Sequence, residues 1–243
     1  MRLENIIWDA ANPRSLGSFW ATALGAETIT DEPEGYEARL DFGEGFFLDL
    51  GFQQVDPIAD SLPRLHLDLT AGGDQTRTVE RLLSLGARHE DIGQGDVPWV
   101  VLADPEGNAF CVMPEGKYDD AAGPIGSLPL DSADPGRDSH FWANISGWDV
   151  AADGQSRLRH RSGMGPTLEL CPEPRRKVGK NNIHLDVRAD SGDIDPIGSA
   201  SRWGARLLED QPELAWVVMA DPSGNEFCVL DAPSPVKSEA CTR

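Results

Sequence analysis

Basic residues are scarce in this chain. Lysine and arginine number 21 against 41 aspartates and glutamates, a formal net charge of −20 over 243 residues. With no basic stripe, neither a nucleic-acid partner nor an anionic membrane surface is expected, and the acidity reads as a solvated surface. Long apolar runs are missing too, none approaching the roughly 20 residues that a membrane-spanning helix needs. The opening Met1-Arg-Leu-Glu-Asn-Ile-Ile-Trp-Asp meets an acid before a signal-like apolar core forms, so a cytoplasmic location is expected. Cysteines are few: Cys111, Cys171, Cys228 and Cys241 are too scattered for a disulfide framework and are expected to be reduced thiols. Hydrophobic residues, by contrast, make up 40%, enough for one large or two ordinary domains with cores of their own.

What the chain does have is self-similarity. Trp99-Val-Val-Leu-Ala-Asp-Pro-Glu-Gly-Asn-Ala-Phe-Cys-Val-Met113 recurs as Trp216-Val-Val-Met-Ala-Asp-Pro-Ser-Gly-Asn-Glu-Phe-Cys-Val-Leu230, with 11 of 15 positions identical. Ordinary composition would give roughly one match. Each copy reads as an apolar strand, a tight turn and a second apolar strand. Asp104 and Asp221 suit the first turn position, Pro105 and Pro222 preset the second, and Gly107 and Gly224 supply a positive φ. The return strand carries Cys111 or Cys228.

Shorter echoes extend the repeat. Residues 3–8 read as a strand, and Asn12-Pro13 as an N-cap followed by a first-turn proline. Leu16, Phe19, Trp20, Ala23 and Leu24 then fall on one helix face, which Gly25 closes. Strands are expected near 27–30, 36–42 and 46–52. The pattern restarts with an alternating strand over 64–69 and a helix capped by Asp74 that carries Val79, Leu82 and Leu83. Leu85-Gly86-Ala87 stops it, copying Leu24-Gly25-Ala26 61 residues earlier. Asp134-Pro135 opens a third helix with Phe141, Trp142 and Ile145, ended by Gly147 and followed by strands over 157–160 and 167–170. A strand over 182–187 precedes a fourth helix opened by Asp195-Pro196, then Gly204 and the second hairpin. Gly25, Gly86, Gly147 and Gly204 each lie 20 residues after a first-strand position: Asn5, His66, Ser127 and His184.

Four β-α-β-β-β units are the architecture this implies. A unit of about 55 residues cannot bury both faces of its small sheet, so two must pair. The spacing leaves open whether units 1 and 2 pair within a half or units 1 and 4 pair across halves. Four-stranded sheets side by side, with helices outside, leave a curved inner face suited to a cleft. The 114–126 stretch holds two prolines, three glycines and an acidic pair and reads as exposed linker. The boundaries drawn are residues 1–115, a linker over 116–126, residues 127–233, and a frayed tail over 234–243.

The segments from Phe19-Trp20 to Gly25 and from Phe141-Trp142 to Gly147, the first-strand His66 and His184, and the two Asp-Pro-x-Gly-Asn turns resemble the vicinal oxygen chelate superfamily. That superfamily includes glyoxalase I, bleomycin-resistance proteins and extradiol dioxygenases. The resemblance spans nearly the whole chain and implies an α+β fold of two tandem glyoxalase-like domains. Such a scaffold hosts several chemistries and some pure binders, so it speaks to fold more than to reaction. It further implies that a metal, where present, takes a first-strand and a last-strand residue from each of two paired units. Registered on the glycine spacing, the last-strand positions are Asp49, Cys111, Glu169 and Cys228. Metal-dependent members place the Glu of an Ile-Glu-Leu in the slots of Cys111 and Cys228. This chain departs there, and also at Asn5 and Ser127.

Two quartets follow, Asn5/Asp49/His66/Cys111 and Ser127/Glu169/His184/Cys228, each with an imidazole, a carboxylate and a thiol. The metal candidates are therefore His66, Asp49, Cys111, His184, Glu169 and Cys228, with zinc, nickel or iron as the ions. In the competing reading the cysteines are small buried hydrophobes and the histidines bond locally. His66, His184, Asp49 and Glu169 are the candidate catalytic bases. A thiolate ligand favours a closed structural zinc over a glyoxalase I centre. Ring cleavage wants two histidines and a carboxylate, which neither quartet has. His66-Leu-Asp68 and His184-Leu-Asp186 set imidazole and carboxylate on one strand face, as an orienting pair or as ordinary strand neighbours. Trp8, Trp99 and Trp216 lie on strands and would stack on a flat ligand wherever they face the cleft. Phe19, Trp20, Phe141 and Trp142 read as core.

The functional expectation is a protein that binds a small aromatic or oxygenated metabolite, as a monomer or homodimer, with no cofactor and without a glyoxalase I type metal site. The alternative is a lyase or isomerase, with or without metal, that uses a cleft histidine or carboxylate as its base.

Overall fold

The computed structural model describes residues 1–56, 58, 63–152, 156–208 and 214–233; the tail expected over 234–243 lies outside the described residues. The first unit comprises β1 (Arg2–Ala10), α1 (Pro13–Leu24), β2 (Glu27–Glu32), β3 (Gly35–Gly43) and β4 (Phe46–Gln54). The second comprises β5 (Asp68–Leu69), α2 (Gln75–Leu85), β6 (Arg88–His89), β7 (Val100–Ala103) and β8 (Ala109–Val112). The third has β9 (Ile125–Ser132), α3 (Pro135–Ser146), β10 (Trp148–Val150), β11 (Arg157–His160) and β12 (Thr167–Pro172). The fourth has β13 (Ile183–Arg188), α4 (Pro196–Arg202), β14 (Arg206–Leu207), β15 (Trp216–Ala220) and β16 (Glu226–Leu230).

Capping chemistry sets where the helices begin. The side chains of Asn12, Asp74, Asp134 and Asp195 accept from the backbone N–H groups of Ser15, Arg77, Arg137 and Gly198, satisfying donors that the first turn leaves unpaired. Gly25 ends α1 at φ 71, a left-handed conformation that costs glycine little. In the repeated turns, Asp104 Oδ1 accepts from the N–H groups of Glu106 and Asn108, and Asp221 Oδ1 from those of Ser223 and Asn225.

The strands form two eight-stranded sheets, and the pairing runs across the halves. The first sheet has the order β14-β15-β16-β13-β1-β4-β3-β2 and the second β10-β11-β12-β9-β5-β8-β7-β6. Unit 1 therefore shares a sheet with unit 4, and unit 2 with unit 3. In each sheet the two first strands meet antiparallel at the centre, and each lies parallel to the last strand of its own unit. This re-sorts the quartets expected from the chain order: Asn5 and Asp49 now belong with His184 and Cys228, and Ser127 and Glu169 with His66 and Cys111.

Alternation divides each sheet into an apolar face under its helices and a second, more polar face. In β4, Leu48, Leu50 and Phe52 are fully buried while Asp49 and Gln53 are partly exposed. The helical faces of both sheets share one continuous core. Trp20 on α1 packs edge-on against Phe110 of the second sheet at 5.0 Å between ring centres. Phe141 on α3 meets Phe227 of the first sheet at 5.7 Å. The 114–126 stretch is not simply an exposed spacer. Ala122 is buried, Tyr118 turns inward, and β9 begins at Ile125. Among the described residues no helix is long and apolar enough to cross a membrane.

Candidate functional site

The faces turned away from the helices carry the chemistry. On the first sheet, Asn5 of β1 lies between Asp49 of β4 and Asp186 of β13, and Asp186 lies beside Cys228 of β16. His184 shares the face of Asp186 because it is two residues along the same strand. A cavity of about 460 Å³ covers this end of the sheet. Val55, Leu208, Trp216 and Val218 give it apolar walls, and Asp9, Gln53, Lys180, His184, Glu226 and Cys228 give it polar ones. Asp9 is buried and ion-paired with Lys180, and Lys177 Nζ lies 2.6 Å from Glu226 Oε1, so the acids on the wall are neutralised by the loop that precedes β13.

The floor of that cavity is polar and incompletely satisfied. His184 Nε2 lies 3.3 Å from Asp186 Oδ1 and 3.5 Å from Cys228 Sγ. Both neighbours approach the same ring nitrogen. His184 Nδ1 has no hydrogen-bond partner, and Asp186 Oδ1 makes no well-directed bond despite that proximity. A nucleophilic relay would instead set the carboxylate on Nδ1 and the thiol on Nε2. Burial, reinforced by the charge of Asp186, pushes the Cys228 thiol far above its ordinary range, the opposite of what activates a nucleophile.

The second sheet repeats the motif and ties up its carboxylate. His66 Nε2 is 3.4 Å from Asp68 Oδ1, and Asp68 pairs in register with Cys111. Burial and Asp68 together push the Cys111 thiol up to about 12. Here, however, Tyr118 Oη donates to Asp68 Oδ2 at 2.9 Å and lies 2.7 Å from Ser127 Oγ, which itself bonds Asp68 Oδ2 at 3.1 Å. The phenol ring also joins Trp99, Val101, Cys111 and Met113 in an apolar cluster. A Cβ on Gly126 would stand 2.0 Å from the Tyr118 ring, so glycine is what lets the ring lie against β9. On this face the carboxylate and thiol are covered by Tyr118 while the His66 side chain stays 37% exposed.

The four-slot metal set that the resemblance implies does not fit these residues. Arg39 grips both oxygens of Asp49 at 2.7 Å each, and Arg157 Nη1 stands 3.5 Å from Glu169 Oε1. Ser127 is committed to Asp68 and Tyr118. The carboxylates beside the imidazole and thiol are instead Asp186 and Asp68. The donor atoms of His184, Asp186 and Cys228 lie within 4.8 Å of one another, as do those of His66, Asp68 and Cys111. Asp49 and Glu169 thus leave the candidate metal sets, because cross-strand arginines hold them. The His-x-Asp spacing already set Asp68 and Asp186 on the right face, but only as orienting partners. Tyr118 and Asp9 were not singled out as site residues, since nothing in their spacing marks them.

Of the three strand tryptophans, Trp216 lines the cavity and Trp99 covers Cys111 on the closed face. Trp8 does neither. It is fully buried on the helical side, stacked on Phe52 at 4.8 Å and beside Trp20 at 5.5 Å. Its position in β1 has the parity of Ile6 and Ala10, which places it in the core.

The model of the glyoxalase-like domain matches residues 5–113 and again residues 127–230. The chain belongs to the glyoxalase-like domain family. Two solved structures are similar to this glyoxalase-like protein along its length. Glyoxalase I from Zea mays aligns with TM-score 0.63 at 16% identity, covering 95% of this chain and 92% of that one. A candidate dioxygenase from Bacillus subtilis aligns with TM-score 0.58 at 18% identity, covering 96% and 86%. At these identities the likeness is one of fold. No curated protein matches the glyoxalase-like chain by sequence. The family match runs along each half, 5–113 and 127–230, whereas the sheets combine a unit from each.

Proposed function

We propose that this glyoxalase-like protein binds one small oxygenated aromatic molecule in the cavity of the first sheet and none on the second. The observation that carries this reading is the asymmetry of the two faces: about 460 Å³ is open beside Trp216 and His184, while Tyr118 fills the equivalent place. The volume lies within the range of small-molecule sites, which combine apolar walls with a few convergent polar groups. Trp216 and Val218 offer a flat apolar wall. Lys180 and His184 offer donors to a phenolate, carboxylate or carbonyl oxygen.

The test is a titration of intrinsic tryptophan fluorescence with flat aromatic acids such as benzoate and salicylate. One saturable equivalent is expected in the unmodified chain, abolished by Val218→Arg, which puts a long charged side chain into the cavity. Absence of saturable quenching, or quenching that survives Val218→Arg, would refute the reading. A second reading, as a lyase or isomerase, draws support from His184. It is the imidazole in the cavity lining, and histidine is the side chain most often used as a general base. Asp49 is unsuited to that role, since Arg39 occupies it.

A further inference from the structure

We propose that a cavity between the end of the second sheet and the loop joining β12 to β13 binds a phosphate monoester with a small apolar tail. This goes beyond the aromatic-ligand reading. It concerns another cavity and another chemistry, and either can fail alone.

The cavity has a volume of about 580 Å³, within the range of small-molecule sites. Pro63 and Arg64 ahead of β5, Ile92 after β6 and Asp131 of β9 line one side. Residues 173 and 175–179 of the loop line the other. That loop carries Arg175-Arg176-Lys177, the only run of three basic residues in a chain of net charge −20.

Charge balance is the first argument. Arg64, Arg175, Arg176 and Lys177 face only two lining carboxylates, Asp131 and Glu173. Glu173 is held by Arg175, Nε to Oε1 at 2.9 Å and Nη2 to Oε2 at 2.6 Å. Lys177 pairs with Glu226, which lies outside this lining. Among the described residues, neither Arg64 nor Arg176 makes an ion pair. Two cations without a counter-charge match a phosphate monoester, which carries about −1.5 to −2 near pH 7. A monocarboxylate would answer only one of them.

The burial of Arg64 is the second. It is 7% exposed, and its guanidinium donates only to neutral acceptors. These are Asn225 Oδ1 at 3.2 Å and the carbonyl oxygens of Arg175 at 3.1 Å and Asp131 at 3.3 Å. A buried charge with no opposite charge beside it is unfavourable, and a bound anion removes that penalty. Of the five N–H groups of a guanidinium, one on each terminal nitrogen is left over, and a phosphate accepts from such a fork through two oxygens. The third argument is the apolar rim. Ile92 and Val178 are 60% and 82% exposed beside these cations, and with Pro63 they offer a surface for a hydrocarbon tail. Asp131, the remaining acid of the lining, works against the anion.

The full-length chain is titrated calorimetrically with n-butyl phosphate, inorganic phosphate and pentanoate, both unmodified and as Val218→Arg, which fills the first cavity. One equivalent of butyl phosphate is expected in both forms. Inorganic phosphate should bind more weakly for want of a tail, and pentanoate about tenfold more weakly for want of charge. Arg64→Gln should abolish binding. Arg176→Ser, at an exposed position that the fold does not need, should weaken it about fivefold, and Asp131→Asn should tighten it. Affinity should fall as the pH drops through about 6, where the monoester takes up its second proton. No saturable butyl phosphate, pentanoate binding as tightly, or unchanged affinity in Arg176→Ser would overturn the proposal. So would binding that disappears in folded Val218→Arg, which would put the anion in the first cavity. Quenching by benzoate is expected to be unchanged in Arg176→Ser, so the two readings are scored separately.

Discussion

Trp20 Nε1 donates to Asp104 Oδ2 at 3.1 Å, joining a helix that packs on the first sheet to the repeated turn of the second. Its counterpart, Trp142 Nε1 to Asp221 Oδ2, spans 3.4 Å. The two bonds explain why the Phe-Trp segment and the Asp-Pro-x-Gly-Asn turn occur twice: each is half of a contact that ties one unit to the next. Hydrogen bonds tie the units within a half, and the sheets tie the halves together. Trp20→Phe is expected to cost about 2 kcal/mol, the scale of a buried bond to a charged group. Trp142→Phe should cost less, because the bond it loses is longer. Urea unfolding midpoints check this; equal costs, or the reverse order, would contradict it.

Asp221 gives a pH dependence. Burial pushes its carboxyl up from the ordinary 3.8 to about 6. The folded chain therefore holds this proton after the unfolded chain has released it. Stability from this group is fully present below about pH 4 and is lost as the pH rises through 6, by up to about 3 kcal/mol. Asp221→Asn has no such slope. Its stability deficit relative to the unmodified chain is expected to shrink between pH 4 and pH 7, and a deficit independent of pH would refute the assignment.

Gly17 marks a close approach of helix to sheet. A Cβ there would stand 2.2 Å from the Tyr36 ring. Gly17→Ala should gain about 1 kcal/mol in helix propensity, yet the ring must shift to admit the methyl group, at a typical overpacking cost of 1–3 kcal/mol. A net loss of stability by calorimetry is expected, and a raised melting temperature would show that the ring moves freely.

Tyr118 gives a gain-of-binding test. Tyr118→Ala removes the ring that packs over Cys111 on the second sheet and leaves Asp68 Oδ2 bonded to Ser127 alone. If the two faces are equivalent beneath it, salicylate should then bind with a second equivalent, weaker than the first. Stoichiometry by calorimetric titration reads this directly. A count unchanged in a folded variant would mean that more than Tyr118 separates the faces.

Much of the fold was legible because it rests on local signals repeated four times. The Asn and Asp caps, the closing glycines and the alternating strands all lie where short-range chemistry puts them. What the chain order could not supply was which unit pairs with which. A unit offers the same first-strand edge to either partner, and only long-range packing chooses between them. That choice governed the site. Under the pairing within halves, Asp49 faces His66 and Cys111; under the observed pairing it shares a sheet with His184 and Cys228, and Arg39 takes it in either case. Arg39 and Asp49 are ten residues apart on antiparallel neighbours, so their match was hidden only by the register of a hairpin. The facing of Trp8 was open for a smaller reason, since one step of strand parity decides between cavity and core.

The pairing of unit 1 with unit 4 also bears on how the chain comes together during synthesis. Trp8 hydrogen-bonds alongside Ile183, 175 residues further on, whereas units 2 and 3 adjoin through residues 113–124 alone. A nascent chain can close the second sheet while the first still lacks half its strands. Until β13 emerges from the ribosome, β1 has an uncovered central edge, the kind of exposed strand that recruits chaperones or pairs wrongly.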